Sequence, residues 1–122
     1  MMALLSSFVE TWQSVHCLVS RQPLPRTVCG TLVLKAVPPY DQDDDGPEAP
    51  ADVAELRSAV AGADAVLIAT PEYNASIPGA LKNALYWVSR PLRSNPLRNK
   101  PAAVIGASTG AFGAVWAQAE LR

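Results

Sequence analysis

Two short stretches of continuous apolar residues constrain the fold of this chain most. They are ADAVLIA at residues 63–69 and AAVIGA at residues 102–107, and a loop and then a helical pattern follow each. Apolar residues that do not alternate with polar ones are typical of strands covered on both faces, as in parallel sheets. The helices that follow can supply this cover.

Helix and strand patterns alternate along the rest of the chain. Apolar residues three and four apart predict helices over residues 3–16 and 51–62, one from the first loop to about Arg90, and another starting with VWAQAELR. A run rich in β-branched residues and leucine predicts a strand over residues 31–37. The alternation predicts one α/β domain over residues 1–122, with a parallel sheet and helices on both faces.

Composition excludes several classes of function. The 122 residues are 49% hydrophobic and 17% charged, with a formal net charge of -1. Nucleic-acid binding needs an excess of Lys and Arg, so we expect no nucleic-acid partner. No apolar run reaches the length of about 18 residues that a membrane helix needs, and no secretory signal pattern begins the chain. Cys17 and Cys29 form no disulfide framework, which indicates a reducing cytoplasm.

The acidic segment at residues 41–52 nearly matches a calcium-binding loop. Asp41, Asp43, Asp45 and Gly46 occupy the first, third, fifth and sixth positions of that pattern. A calcium loop follows a helix, whereas VPPY precedes this segment. A solvated acidic loop is therefore the preferred interpretation, and we expect no metal site.

The loop TPEYNASIPG at residues 70–79 is richer than a turn requires. Three of its residues have ordinary roles as strand terminator, helix cap and first-turn residue: Pro71, Ser76 and Pro78. Glu72, Tyr73 and Asn74 have no such explanation. Tyr73 offers a planar wall and Asn74 a donor and an acceptor, which suits the edge of a flat heterocycle. The residues alone leave a binding loop and a plain turn equally open.

A second loop, STGAFG, follows the other apolar strand. Gly106, Gly110 and Gly113 do not form the G-x-G-x-x-G dinucleotide pattern, but glycines after a strand allow a ligand to approach the backbone closely. An ordinary glycine-containing turn is the alternative. Ligands of parallel α/β sheets bind at the carboxyl ends of strands, so both loops should share one edge. The basic stretch from Arg90 to Lys100 is a solvated connection or, more weakly, an attractor of anionic cofactors.

Together, ADAVLIATPEYNASIPGALKNALYWVSRP and NKPAAVIGASTGAFGA closely resemble the NAD(P)H-dependent FMN reductase family, which includes flavodoxin-like quinone, chromate and azo-dye reductases. The resemblance extends from about Val33 to Arg122 and includes PPYDQDDDG. It implies a flavodoxin-like fold, bound FMN, turnover of NAD(P)H, a small-molecule electron acceptor such as a quinone, and a homodimer or homotetramer. It also implies that the flavin carries the chemistry, so no protein residue is assigned as catalytic.

The resemblance assigns eight residues to the flavin ring. They are the family's two loop motifs as they stand here: Pro71, Glu72, Tyr73, Asn74, Ser108, Thr109, Gly110 and Gly113. Lys82 and Asn83 match a helical stretch that tends to lie near the subunit interface. Tyr86 stands where the family commonly has Asp. This departure affects what the resemblance implies about local interface or helix contacts, but not what it implies about flavin binding.

The N-terminal part departs from the family pattern. The family begins with a strand and a Gly-Ser-x-Arg loop for the FMN phosphate, and neither is recognisable in residues 1–30, which instead predict a divergent helical region. The family also continues past the position of Arg122 with a strand and a helix. We therefore expect an incomplete flavodoxin-like domain. Two alternatives stay open: a truncated, flavin-free remnant or interaction module without catalysis, and an electron-transfer flavoprotein without nicotinamide turnover.

Overall fold

The computed structural model of the protein describes residues 14–19 and 28–122, with the backbone alone for residues 14–19, 28–31 and 33. Most of the helix predicted over residues 3–16 lies outside these ranges. Its last three residues were predicted wrongly, because Ser14–Val19 is a strand. The elements, in chain order, are β1 Ser14–Val19, β2 Val28–Val33, a 3₁₀ turn Leu34–Ala36, α1 Ala51–Gly62, β3 Ala65–Pro71, α2 Gly79–Val88, β4 Ala102–Ala107 and α3 Val115–Glu120.

The four strands form one sheet in the order β2-β1-β3-β4. β3 and β4 pair in parallel, with Val66 opposite Ala102 and Pro71 opposite Ala107. β1 is antiparallel to both of its neighbours, so β2, β3 and β4 all run in the same direction. This order is the 2-1-3-4 order of flavodoxin-like sheets with the central strand reversed. β1 fills the central place in which the sequence showed no recognisable strand.

The short connection between β1 and β2 explains why β1 is antiparallel to β2. Only residues 20–27 connect β1 to β2. A parallel crossover needs a dozen or more residues, whereas antiparallel strands can be joined by far fewer. The crossovers from β2 to β3 and from β3 to β4 each include a helix, so those strands keep the same direction. The predicted parallel pairing is therefore confirmed for β3 and β4, whereas β1, where no strand was predicted, is antiparallel to both of its neighbours.

The second strand ends earlier than the predicted range of residues 31–37. The chain leaves β2 at Val33 and turns, with the amide of Val37 donating to the carbonyl of Leu34 at 3.2 Å. This turn buries Leu34, which is only 3% exposed and belongs to the core. Burial of an apolar side chain of this size favours folding by about 1.5–3 kcal/mol, which outweighs the β propensity of the stretch.

The core lies between the sheet and its helices. β3 alternates buried and half-buried side chains, as predicted for a strand with cover on both faces. β4 was expected to be covered in the same way, but most of its residues are exposed, with Ile105 45% exposed. The reason is its place at the edge of the described sheet. No helix within the described residues is long and apolar enough to cross a membrane.

The segment after β2 is attached to α2 by polar side chains. Asn83 donates to the carbonyl of Pro38 at 2.8 Å and accepts from the amide of Tyr40 at 2.7 Å. The indole of Trp87, which is fully buried, donates to the same Pro38 carbonyl at 2.9 Å. Arg57 connects the acidic loop to the end of α2, since it pairs with Asp45 and donates to the carbonyl of Trp87.

We expect Asn83→Ala to destabilise the domain by about 1–3 kcal/mol, because the partly buried amide of Tyr40 loses its partner and the carbonyl of Pro38 keeps only the indole of Trp87. Urea unfolding followed by tryptophan fluorescence measures the change. Asn95→Ala is the matched control, because the Asn95 side chain donates an exposed bond to the carbonyl of Leu92. Equal losses for the two variants would contradict this role for Asn83.

Candidate functional site

A cavity lies where the carboxyl ends of β3 and β4 meet. Its volume is about 420 Å³, and the residues on its wall come from the ends of both strands and the loops that follow: Pro71, Glu72, Tyr73, Ala107, Ser108 and Thr109. This volume is in the range of sites for small organic molecules. The two loops singled out in the sequence therefore share one edge of the sheet and form opposite walls of one cavity.

The first wall is shaped by a tight two-residue turn. The backbones of Tyr73 and Ser76 exchange two hydrogen bonds, at 2.9 and 3.0 Å. Asn74 and Ala75 between them have positive φ angles of 53° and 57°, as in a type I′ hairpin turn. Asparagine tolerates this conformation well, whereas alanine is strained in it. The choice of asparagine at position 74 thus has a structural explanation that the sequence reading did not provide.

Glu72 connects the first wall to α3. Its carboxylate accepts from the amide of Trp116 at 2.9 Å and from the amide of Ala117 at 3.1 Å. These are the second and third residues of α3, whose amides have no partner within a helix. Ala114, the residue before α3, has no side chain that could cap them. Glu72 therefore caps α3 from a distant part of the chain, a role that the sequence reading missed.

Glu120 forms a second connection at the other end of α3. One oxygen accepts from the Ser76 hydroxyl at 2.5 Å and from the amide of Ile77 at 3.4 Å. The other oxygen pairs with the Lys82 ammonium on α2 at 2.9 Å. Ser76 was expected to cap α2, but Pro78 takes that position without any side-chain cap, and the Ser76 hydroxyl is bound to Glu120 instead.

These partners keep Glu120 ionised. The hydrogen bonds from Ser76 and Lys82 lower the pKa of the Glu120 carboxyl from 4.5 to about 2. The same contact with Glu120 raises the pKa of the Lys82 ammonium. The sequence alone could not identify this cluster, because Glu120 lies 44 residues from Ser76 and 38 residues from Lys82 in the chain.

The second wall depends on the close approach of β4 to its neighbours. A side-chain carbon added at Gly106 would lie 2.7 Å from the Ala114 methyl group and 2.8 Å from the carbonyl oxygen of Thr70. Only glycine leaves room for this packing. Further along the loop, the amide of Gly110 donates to the Ser108 hydroxyl at 3.2 Å, and Gly113 turns the chain with a φ angle of 61°.

Of the eight predicted ring-binding residues, five line the cavity and three do not. Those on the cavity wall are Pro71, Glu72, Tyr73, Ser108 and Thr109. Asn74, Gly110 and Gly113 are not on the wall, and they shape the turns beside it. Ala107 lines the cavity without having been predicted. Its place as the last residue of β4 was the signal that could have identified it.

The basic stretch from Arg90 to Lys100 lies at the opposite end of the strands from the cavity. It connects the end of α2 to the amino end of β4, where Ala102 pairs with Val66. The Lys100 ammonium donates to the carbonyls of Ala61 and Ala63, at the end of α1. Lys100 therefore has a structural role, and attraction of an anionic cofactor by this stretch stays a prediction.

The acidic loop is bound to the protein by one of the aspartates of the calcium-like pattern. The Asp45 carboxylate accepts from Arg57 at 2.6 Å and from the Tyr40 hydroxyl at 3.1 Å. Among the residues that the structure describes, no group of three or more His, Cys, Asp or Glu residues could hold a metal ion.

Comparison with known proteins identifies the family of the chain. A family model described as NADPH-dependent FMN reductase matches residues 21–122. The chain belongs to this family. It is 48% identical over 110 residues to a 2-hydroxy-1,4-benzoquinone reductase of Burkholderia sp, a match that covers 90% of this chain and 59% of that protein.

Further relatives of the FMN reductase family agree with this assignment. An NAD(P)H-dependent FMN reductase of Pseudomonas aeruginosa is 46% identical over 89 residues, covering 73% of this chain and 48% of the relative. The solved structure of FerB, a flavoenzyme NAD(P)H:(acceptor) oxidoreductase from Paracoccus denitrificans, aligns with a TM-score of 0.68 at 47% identity, over 74% of this chain and 49% of FerB. The flavodoxin-like fold is thus confirmed. The chain spans about half the length of the curated relatives it matches.

We expect Gly106→Ala to lower the free energy of unfolding by about 1–3 kcal/mol, because the new methyl group overlaps Ala114 and the Thr70 carbonyl. Urea denaturation tests this. Gly79→Ala is the control, since nothing lies within 4 Å of the added carbon and alanine suits the helix that begins there. If Gly106→Ala were as stable as Gly79→Ala, the close packing of β4 would be disproved.

The contribution of Glu120 to stability should depend on pH. Its pKa is lower in the folded protein than in the unfolded chain, so the unfolded chain binds more protons between pH 4.5 and about 2. The stabilisation is therefore complete above pH 4.5 and is lost as the pH falls toward 2. Thermal unfolding across this range should show a smaller decline in Tm for Glu120→Gln than for the wild type. Identical declines would refute the lowered pKa.

Proposed function

We propose that this chain supplies the flavin-ring site of an NAD(P)H-dependent FMN oxidoreductase that reduces a quinone-like or other small acceptor. The observation that carries the proposal is the cavity between residues 71–73 and 107–109, at the edge of the sheet where parallel α/β proteins bind their ligands. Family membership supports the same reading, since its relatives are named as FMN and quinone reductases.

The residues on the cavity wall suit a flat, partly polar ring. Tyr73 is 50% exposed and gives the wall a planar aromatic surface. Pro71 is buried and holds the chain extended as it leaves β3. Ser108 and Thr109 add hydroxyl groups and backbone amides on the other side. We propose that these residues hold the isoalloxazine ring, and that Asn74, Gly110 and Gly113 keep the two loops in the required shape.

The position of β1 does not provide a site for the phosphate of FMN. In the family, a loop after the first strand holds the phosphate at the cavity edge of the sheet. Here β1 runs in the opposite direction, and its last residues pair with the beginning of β3, with Leu18 opposite Ala65. The carboxyl end of β1 therefore points away from the cavity. The fit that supports the proposal is a fit to the ring, and we assign no residue to the phosphate.

The division of labour between cofactor and protein follows from this site. When bound at this wall, FMN would supply the hydride-transfer chemistry between a reduced nicotinamide and the acceptor. The wall residues orient the ring, and the backbone amides of the two loops offer donors to its polar edge. Among the described residues, none on the wall is a histidine, cysteine or lysine, so we assign no catalytic side chain.

We propose a homodimer or homotetramer, as in the expectation from the family. Several large apolar side chains are exposed on the described surface, and a second copy of the chain would cover part of this area: Ile105, Leu92, Phe112, Val115 and Trp116. We also propose that the protein is cytoplasmic and that its electron acceptor is a small molecule.

The test is flavin binding by the purified full chain. We expect flavin absorbance, or uptake of added FMN with quenched fluorescence, and oxidation of NAD(P)H when a quinone is present. Tyr73→Ala should weaken FMN binding roughly two- to tenfold, the range for losing one aromatic contact. Tyr86→Ala is the matched control, because Tyr86 is similarly exposed but lies on α2 and does not line the cavity.

The other outcomes separate the alternatives. A colourless protein that takes up no FMN would disprove the proposal and favour a flavin-free module. A protein that binds FMN but does not oxidise NAD(P)H would favour an electron-transfer role. Equal effects of the two tyrosine substitutions would remove Tyr73 from the ring site.

A further inference from the structure

We propose that Glu72 and Glu120 are positioning residues, which hold the two walls of the cavity at a fixed separation through α3. We call α3 with these two carboxylates the helix brace. The consequence for affinity rests on the proposed function, because it concerns binding of the FMN ring. The mechanical coupling between the walls stands on the contacts of the chain alone.

The first step is the connection at the start of α3. Glu72 lies on the first wall, and its carboxylate holds the amides of Trp116 and Ala117. The second wall, residues 107–109, leads through a short loop into the same end of the helix. Any movement of the start of α3 therefore moves the end of that loop. Glu72 thus connects one wall of the cavity to the base of the other.

The second step is the connection at the end of α3. Glu120 accepts from the Ser76 hydroxyl and the Ile77 amide, at the far end of the first loop. Its other oxygen pairs with Lys82, which fixes it to α2. The loop from Glu72 to Ser76 is therefore held to α3 at both ends. Its tight turn, with Ala75 at a φ angle of 57°, lies between these two attachments.

The third step is the fixed position of α3 itself. Ala114 and Ala117 are almost completely buried, and the Ala114 methyl group would lie only 2.7 Å from a side-chain carbon at Gly106. The helix is therefore packed tightly against β4. Among the described residues, apart from the β3–β4 ladder, the hydrogen bonds between the first loop and residues 107–122 all involve Glu72 or Glu120.

The experiment measures amide hydrogen exchange by mass spectrometry on the full chain without added FMN. Glu72→Ala should increase exchange about fivefold in residues 115–118, as expected for loss of a helix cap. It should also increase exchange in residues 107–113, although the hydrogen bonds of the Glu72 carboxylate go to Trp116 and Ala117. Glu72→Gln keeps an oxygen that can accept from both amides, so it should restore most of the protection. Glu55→Ala, at an exposed position on α1, is the control.

A second variant provides an independent measurement. Glu120→Ala removes the acceptor at the other end of α3, so it should increase exchange in residues 72–77 and weaken the protection of residues 107–113. An increase confined to residues 115–118 in Glu72→Ala, or to residues 76–82 in Glu120→Ala, would overturn the brace. Such results would leave each carboxylate with a local role only.

Binding of FMN then tests the effect on the site. We expect Glu72→Ala and Glu120→Ala each to raise the Kd for FMN about fivefold, and the double variant to raise it by less than the product of the two, since both act through one helix. Val60→Ala, which removes buried groups in α1, should lower Tm without changing the Kd. A Kd that follows Tm in all four variants would overturn the positioning role.

The two proposals fail in different ways. If the wild-type chain binds no FMN but the two variants show the expected increases in exchange across both walls, the proposed function is disproved and the brace is retained. A wild-type chain that binds FMN, with unchanged exchange in residues 107–113 in the Glu72 variant, would disprove the brace and retain the function.

Discussion

The capping of α3 by Glu72 is the interaction on which the geometry of the cavity depends. α3 is a short helix without a cap of its own, and a carboxylate from another part of the chain supplies the missing acceptor. That carboxylate belongs to a residue on the cavity wall. One residue therefore both caps the helix and lines the first wall. The packing of Ala114 against Gly106 adds β4 to the same unit.

Local patterns in the sequence were sufficient for most of the elements and for the location of the cavity. The apolar stretches at residues 63–69 and 102–107 predicted two parallel strands, and both loops after them lie at one edge of the sheet. The direction of β1 was not predictable from its residues. The length of the connection to β2 decides that direction, and the helical spacing in residues 3–16 concealed the strand.

Long-range contacts explain what the sequence reading could not provide for the site. Asn74 was interpreted as a ligand-binding amide, and the structure places it in a turn that requires a positive φ angle. Glu72 was interpreted as a pocket residue, and its carboxylate faces helix amides 44 residues away in the chain. Ser76 and Lys82 form one cluster with Glu120 from a distant segment of the chain. Such partners become visible only when the chain is folded.

The lowered pKa of Glu120 has a consequence for the supply of protons. Reduction of a quinone by a hydride requires a proton in addition, and a carboxylic acid near the site would be an obvious donor. Glu120 has a pKa of about 2, so its carboxyl group carries no proton to give at neutral pH. Its hydrogen bonds keep it as a structural anion. At neutral pH Glu120 therefore acts as an acceptor of hydrogen bonds for Ser76, Ile77 and Lys82.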